Sequence, residues 1–331
     1  MTSPVQPDLP ARPPFARGGL AWRIAEVLIG LGLFAPLTLA VAALSGSGHR
    51  WIDILAQFTA PALTATVLLT ALVALARLWR ATAFGLIVAV TLLVAVWPQW
   101  FPAQPPARPG APELTLYSAN VHYLNTDIDR MRRSIDQADP DIIVLVELSL
   151  QTADGIEALL GDYPHRVHAT LPAQMRGPSR SIIASRYPLT QVPTFPDLLH
   201  DVAAVAQTPL GPINIVGVHL TRPWPYEFQH GQVIQTENLA DLRRTTTGPM
   251  IVAGDFNSVS SARIGRQVRD EVGLHPAPGI LGTWPTALPP VFGMTIDQVY
   301  RSSDLTFTRR RLGRPNGSDH APVITTFTLA Q

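Results

Sequence analysis

Val252-Ala253-Gly254-Asp255-Phe256-Asn257 is an apolar run that ends in an Asp and an Asn separated by one residue. Side chains two apart on a strand project to the same face, so Asp255 and Asn257 emerge together at the mouth of a predicted strand. A second polar group stands at Gly317-Ser318-Asp319-His320-Ala321-Pro322, where a turn delivers an Asp and a His directly before the apolar run Val323 to Leu329. A carboxylate able to activate water and a His able to meet a phosphoryl oxygen are the groups that phosphoester cleavage needs.

Outward from these two stretches the pattern is that of an α/β domain. Leu114 to Ala119 alternates and ends at Asn120, Thr126 is placed to cap a helix through about Ala138, and Asp141 to Val146 is an apolar strand ending at Glu147. Further strands are predicted at Ser181 to Ala184, Val202 to Ala206, Ile213 to Val218, Met250 to Ala253, Thr295 to Tyr300, Leu305 to Thr308 and Val323 to Leu329. Phe228 to Arg244 is the clearest helix between them. Many strands with few helices predict two packed sheets flanked by helices, not a singly wound parallel sheet. Asn120, Glu147, His219, Asp255 and Asn257 all fall at or just past strand ends, where such folds display chemistry. Arg180 reads as a solvated residue, and the basic run Arg309, Arg310, Arg311 and Arg314 as a surface loop.

The first third differs. The chain of 331 residues is 47% apolar and only 15% charged, which is high for a purely soluble protein, and the excess lies before about Trp100. Three candidate membrane spans follow in succession, about Ile24 to Leu44, Ile54 to Ala76 and Ala81 to Trp97, each near the roughly 20 apolar residues needed to cross the hydrocarbon core. A cleaved signal peptide has a single short apolar core, so the succession predicts retained spans. Arg12, Arg17 and Arg23 precede the first span, and Arg77 and Arg80 separate the second from the third. By the positive-inside rule these ends are cytoplasmic and everything after Trp97 lies outside the cytoplasm. Trp97, Trp100 and Phe101 fit an aromatic belt at the outer interface. The predicted organisation is a cytoplasmic tail (1–23), three spans (24–97), a stiff Pro-rich linker (98–112) and a catalytic domain (113–331).

Net charge is +1, which argues neither for nor against a polyanionic partner, and every basic residue other than His is Arg. The absence of Cys excludes disulfides, thiolate metal sites and Cys nucleophiles.

From Leu114 to Leu329 the sequence resembles the endonuclease/exonuclease/phosphatase superfamily. The resemblance is carried, in family order, by Ser118-Ala119-Asn120-Val121, Val146-Glu147, Val218-His219-Leu220, Gly254-Asp255-Phe256-Asn257, Ile296-Asp297-Gln298-Val299 and Ser318-Asp319-His320. It implies a DNase I-like α/β four-layer sandwich following the N-terminal three-helix transmembrane region. It further implies that Glu147 and Asn120 hold a divalent cation, Mg²⁺ or Mn²⁺, with Asp319 completing the metal environment. Asp255 would orient or deprotonate the attacking water, and Asn257 would help place it. His320 would contact a phosphoryl oxygen with Asp297 fixing its tautomer, and His219 would be a second phosphate ligand.

The sequence also looks like the bacterial membrane branch of this superfamily, in which three spans precede an extracytoplasmic catalytic domain. That likeness implies the lipid bilayer as a partner and a lipid-linked or envelope phosphate as substrate. Aromatic and Pro-rich stretches at Thr221 to Tyr226 and Gly282 to Pro285, with Leu288 and Phe292, could meet the interface. An extracytoplasmic nuclease acting on DNA or RNA is the alternative enzyme, and a noncatalytic membrane binding module the alternative of another class.

Overall fold

A computed structural model describes residues 19–169, 179–194, 201–223 and 229–331. Its first part is helical: α1 (Leu20–Leu44), a short α2 (Arg50–Asp53) that passes through a 3₁₀ turn (Ile54–Phe58) into α3 (Thr59–Leu75), and α4 (Trp79–Trp100). Leu20–Leu44, Arg50–Leu75 and Trp79–Trp100 are each long and apolar enough to cross a membrane. The second therefore begins before Ile54 and takes in Asp53, which the sequence reading left in the connection. Leu28, Leu31, Phe34, Leu72, Leu86, Ile87 and Val90 remain exposed on these helices. So large an apolar surface is uncommon on a soluble chain and points to membrane association. At Gly85 an added Cβ would lie 2.3 Å from the Thr70 hydroxyl, so the glycine sets how closely α4 approaches α3.

Beyond these helices two six-stranded sheets form. In the first the order is β11 (Leu305–Leu312), β12 (Val323–Leu329), β1 (Leu114–Asn120), β2 (Ile142–Ser149), β4 (Ser179–Ser185) and β3 (His165–His168). In the second it is β5 (Leu189–Val192), β6 (Val202–Thr208), β7 (Gly211–His219), β8 (Met250–Asp255), β10 (Asp297–Arg301) and β9 (His275–Pro276). Each has one parallel pair at its centre, β1 with β2 and β7 with β8. The remaining pairings are antiparallel. The facing sheets bury Leu116, Val144, Ile183, Ile215, Ala253, Val299 and Phe327 between them. Burying one such Leu, Ile, Val or Phe contributes roughly 1.5–3 kcal/mol.

Outside the first sheet lie α5 (Ile128–Ala138), α6 (Leu150–Asp154) and α7 (Ile156–Leu160); Met131, Ile135 and Leu159 pack on Tyr117, Ile143 and Leu145. Outside the second, Leu239 and Leu242 of α8 (His230–Thr245) and Ile264 of α9 (Arg263–Gln267) cover Val216, Val252 and Phe256. The result is the predicted four-layer arrangement of helices, two mixed sheets and helices.

Three local expectations change. The side chain of Asp127, not Thr126, caps α5 by accepting the Arg130 N–H at 2.9 Å; a carboxylate there also meets the positive end of the helix. Arg309, Arg310 and Arg311 belong to β11, not to a loop, because a bulge after Phe307 lets the strand continue beside β12. The helix predicted from Phe228 begins at His230, and Phe228 lies outside the described residues. The Pro-rich stretch after α4 is extended and tied along the domain: Arg301 donates to Ala103 O and Gln104 Oε1, and Arg108 N–H donates to Leu329 O.

Candidate active site

Topology brings one edge of both sheets together. Parallel strands β1, β7 and β8 end there at Asn120, His219 and Asp255, β2 carries Glu147 there near its end, and antiparallel β10 begins there at Asp297. Register places His219 opposite Asp255, and Asp255 opposite Asp297. Gly254 makes the first pairing possible: at φ +144° it faces Val218, and a Cβ would fall 1.9 Å from the Val218 carbonyl. A bulge between Leu145 and Leu148, with Glu147 at φ 57°, turns the Glu147 side chain toward this edge.

The groups interlock. Asn120 Nδ2 donates to Glu147 Oε1 at 3.0 Å and to Asp255 Oδ2 at 3.1 Å, while its Oδ1 accepts the His122 N–H. His219 Nε2 lies 3.2 Å from Glu147 Oε1 and 3.8 Å from Asp255 Oδ2. Asp255 Oδ1 accepts the Asn257 N–H at 2.7 Å, and Asn257 Nδ2 reaches Leu220 O at 2.9 Å. His320 Nδ1 is 2.9 Å from Asp297 Oδ2, and its Nε2 is turned toward Asp255 Oδ2 at 3.9 Å. Asp297 is itself located by its N–H donating to Thr283 Oγ1.

Burial sets the protonation states. Burial raises the Asp255 carboxyl above its ordinary range; His320 opposes that, and Asp297 adds to it. Burial alone would favour a neutral His320 ring, yet Asp297, Asp255 and Asp319 outweigh it and hold the imidazolium up to about 10. A cationic donor therefore stands 3.9 Å from a carboxylate with enhanced basicity, so that a ligand oxygen beside the pair can meet both.

Seven of the eight predicted residues share this constellation. Asp319 stands apart at the exposed rim, where its Oδ2 accepts the Trp284 indole N–H at 3.0 Å. The Asn120 oxygen expected to ligate a cation is engaged by His122, so the amide meets the two carboxylates as a donor. Arg180 stands opposite Leu148, next to the bulge. Among the described residues, Glu147, His219 and Asp255 each offer one ligand atom within 4.8 Å of one another, as do Asp255, Asp297 and His320. Two carboxylate oxygens and one imidazole nitrogen are donors suited to a divalent cation, so the residues present fit one.

The gap opens into a cavity of about 260 Å³ lined by His320, Asn257, Trp284 and Ile296, and by Arg222 and Pro223 after β7. Trp224, Pro225 and Tyr226 lie outside the described residues. Met294 and, from the helical region, Ile54, Gln57 and Phe58 complete the lining. Sequence reasoning missed the last three, although Asp53 and Gln57, four apart at the head of an apolar run, were a signal. Polar residues in such a position are expensive unless they meet a partner.

The family model for the endonuclease/exonuclease/phosphatase family matches residues 117–320, a span that contains all eight predicted site residues but not Ile54, Gln57 or Phe58. The chain belongs to that family. Membership makes it a phosphoester hydrolase in the broad sense that includes nucleases and phosphatases. Solved structures agree on the fold. An endonuclease/exonuclease/phosphatase from Beutenbergia cavernae is 19% identical, with TM-score 0.53, covering 66% of this chain and 72% of that one. A family member from Bacteroides vulgatus is 13% identical, with TM-score 0.52 and coverage of 66% and 99%. D. rerio TDP2, solved with a single-strand DNA product, is 18% identical, with TM-score 0.51 and coverage of 65% and 98%. Comparison with curated proteins finds no match. The DNase I-like sandwich is thus the family fold, and the N-terminal helices lie outside the family match.

Proposed function

We propose that this chain is a membrane-anchored phosphoester hydrolase, dependent on Mg²⁺ or Mn²⁺, that acts outside the cytoplasm on a lipid-linked or envelope phosphate. The observation that carries the reading is the seam between helices and site. The α1–α3 connection meets the domain through Gly48, Asp53 and Gln57, and the end of α4 through Gln99. Arg77 and Arg80 flank the turn at the opposite end of the helices. An Arg-bearing end on the cytoplasmic side puts the domain on the other. Thr64 of α3 donates to Val291 O at 2.9 Å, and Ile280, Leu281, Leu288 and Val291 are exposed nearby in sequence. These apolar side chains suit the interfacial layer beside the spans.

The chemistry follows from the side chains. Asp255 accepts the proton of an attacking water as its oxygen bonds to phosphorus and the bond to the leaving oxygen breaks. Cationic His320, oriented by Asp297, donates from Nε2 to a phosphoryl oxygen where negative charge accumulates. His219 is the second group placed to meet that phosphate, and Asn257 holds the Asp255 carboxylate through its backbone N–H. Glu147 would hold the cation, which would supply charge neutralisation at the phosphoryl group when bound.

The test is hydrolysis by the detergent-purified full chain of polyprenyl pyrophosphate, phospholipids, sphingomyelin and DNA, with and without EDTA, beside Asp255→Ala. Turnover of a lipid phosphate that both EDTA and the substitution abolish is expected. Cleavage of DNA alone would replace this reading with that of an extracytoplasmic nuclease.

A further inference from the structure

Gln57 is buried although it stands at the head of a candidate span. Its Nε2 donates to the Asn257 carbonyl at 3.2 Å, and its Oε1 accepts the Val259 N–H at 3.1 Å. The same Asn257 carbonyl accepts Gln232 Nε2 from α8 at 3.2 Å, so two amides clamp it, one from the spans and one from the domain. Asn257 is left-handed, at φ 46°, a conformation that Asn tolerates better than most residues, and the two amides fix its carbonyl in that conformation. Its N–H in turn fixes Asp255 Oδ1. A path of three hydrogen-bonded groups therefore runs from the membrane helices to the carboxylate that meets water. Ile54 and Phe58 flank Gln57 on the cavity wall, and Phe58 keeps 41% of its surface exposed.

We infer that the 3₁₀ turn at the head of the second span is a working part of the active site. Gln57 is a positioning residue that holds Asn257, and Ile54 and Phe58 form the wall against which the apolar part of the substrate lies. The wall assignment rests on the proposed lipid-linked substrate; the Gln57 assignment does not. The geometry of the chain makes the spans more than a tether, since polar groups that only anchored the domain would have no reason to reach the residue beside Asp255.

The experiment uses the full chain in liposomes with two phosphodiesters, one bearing a long alkyl chain and one being bis(p-nitrophenyl) phosphate. Gln57→Glu keeps the acceptor for Val259 but turns the donor facing Asn257 into an oxygen. It is expected to lower kcat about tenfold on both substrates with KM unchanged. Phe58→Ser and Ile54→Ser are expected to raise KM about tenfold for the long-chain ester alone. Equal KM changes on both esters, or none, would overturn the wall. Amide hydrogen exchange decides Gln57 independently of turnover: faster exchange confined to residues 255–259 in Gln57→Glu is expected. Unchanged exchange there, or faster exchange throughout the domain, would overturn its positioning role. If the wild-type chain hydrolyses no phosphoester, the proposed function and the wall fall together, and the exchange result still decides Gln57.

Discussion

The helical region and the α/β domain place the same residue types in opposite ways. In the domain Leu116, Val144 and Phe327 are sealed between sheets, and polar side chains gather at one edge. In the helices Leu28, Leu86 and Val90 face outward, while Asp53, Gln57 and Gln99 are buried toward the domain. Each region therefore marks its working surface by the rarer event for its surroundings. In the domain that event is an ionisable group held out of water at a strand end. In the helices it is a polar group on an otherwise apolar run.

The strongest break of this contrast strikes the domain's polar edge. Asp255→Asn removes the proton acceptor while keeping the hydrogen bond from Asn257 N–H within reach, so hydrolysis should fall by about 10³-fold. Steady-state rates on whichever phosphoester the wild type cleaves measure it; a loss under fivefold would remove Asp255 from the chemistry. Next in size is packing. Leu116→Ala between the sheets should cost about 2–5 kcal/mol, whereas Leu86→Ala on the exposed helix face should cost well under that, because the side chain is 56% exposed and leaves little packing to lose. Urea or thermal unfolding of the full chain in detergent compares the two, and equal losses would mean that the helix face is packed in protein.

Asp297→Asn tests the electrostatics. Burial opposes charge on His320, and Asp297 is the largest influence holding its pKa up to about 10. Because this folded-state value lies above the free-histidine value of roughly 6.5, the stabilisation from charged His320 is complete below the latter and is lost as pH rises through about 10. Without Asp297 the alkaline limb of activity should move toward neutral pH. A limb that stays in place would show that His320 owes its charge to other neighbours.

Much of this was legible in the sequence. Val252 to Asn257 announced a buried central strand because a parallel strand covered on both faces needs a continuous apolar run. The polar residues at strand ends stood out against such runs, which is why Asn120, Glu147, His219, Asp255 and Asn257 could be named; His320 stood out in the turn before the last strand, and Asp297 came from the family resemblance. What escaped depends on pairing at a distance. Short strands such as β3 and β9 carry no periodicity long enough to read and form only because a neighbour supplies hydrogen bonds. The meeting of Gln57 with Asn257 joins positions 200 residues apart. Nor does spacing disclose that Asp319 turns to Trp284 while its neighbour His320 turns to Asp297.

The smallest expected effect falls on the seam itself. Asp53 accepts the Arg263 N–H at 2.9 Å and the Gln229 amide, with Arg266 3.8 Å away. Asp53→Ala strands these donors in a buried place, at a cost of about 1–3 kcal/mol, but it leaves the Gln57 bonds to Asn257 and Val259 intact. Stability should therefore drop while kcat on a soluble phosphodiester changes less than twofold. That outcome would separate the seam into an anchoring part at Asp53 and a catalytic part at Gln57, two positions one helical turn apart. A matching fall in kcat would instead mean that the helices act on the site as one rigid wall, and that the division between a membrane region and a catalytic region does not hold at their contact.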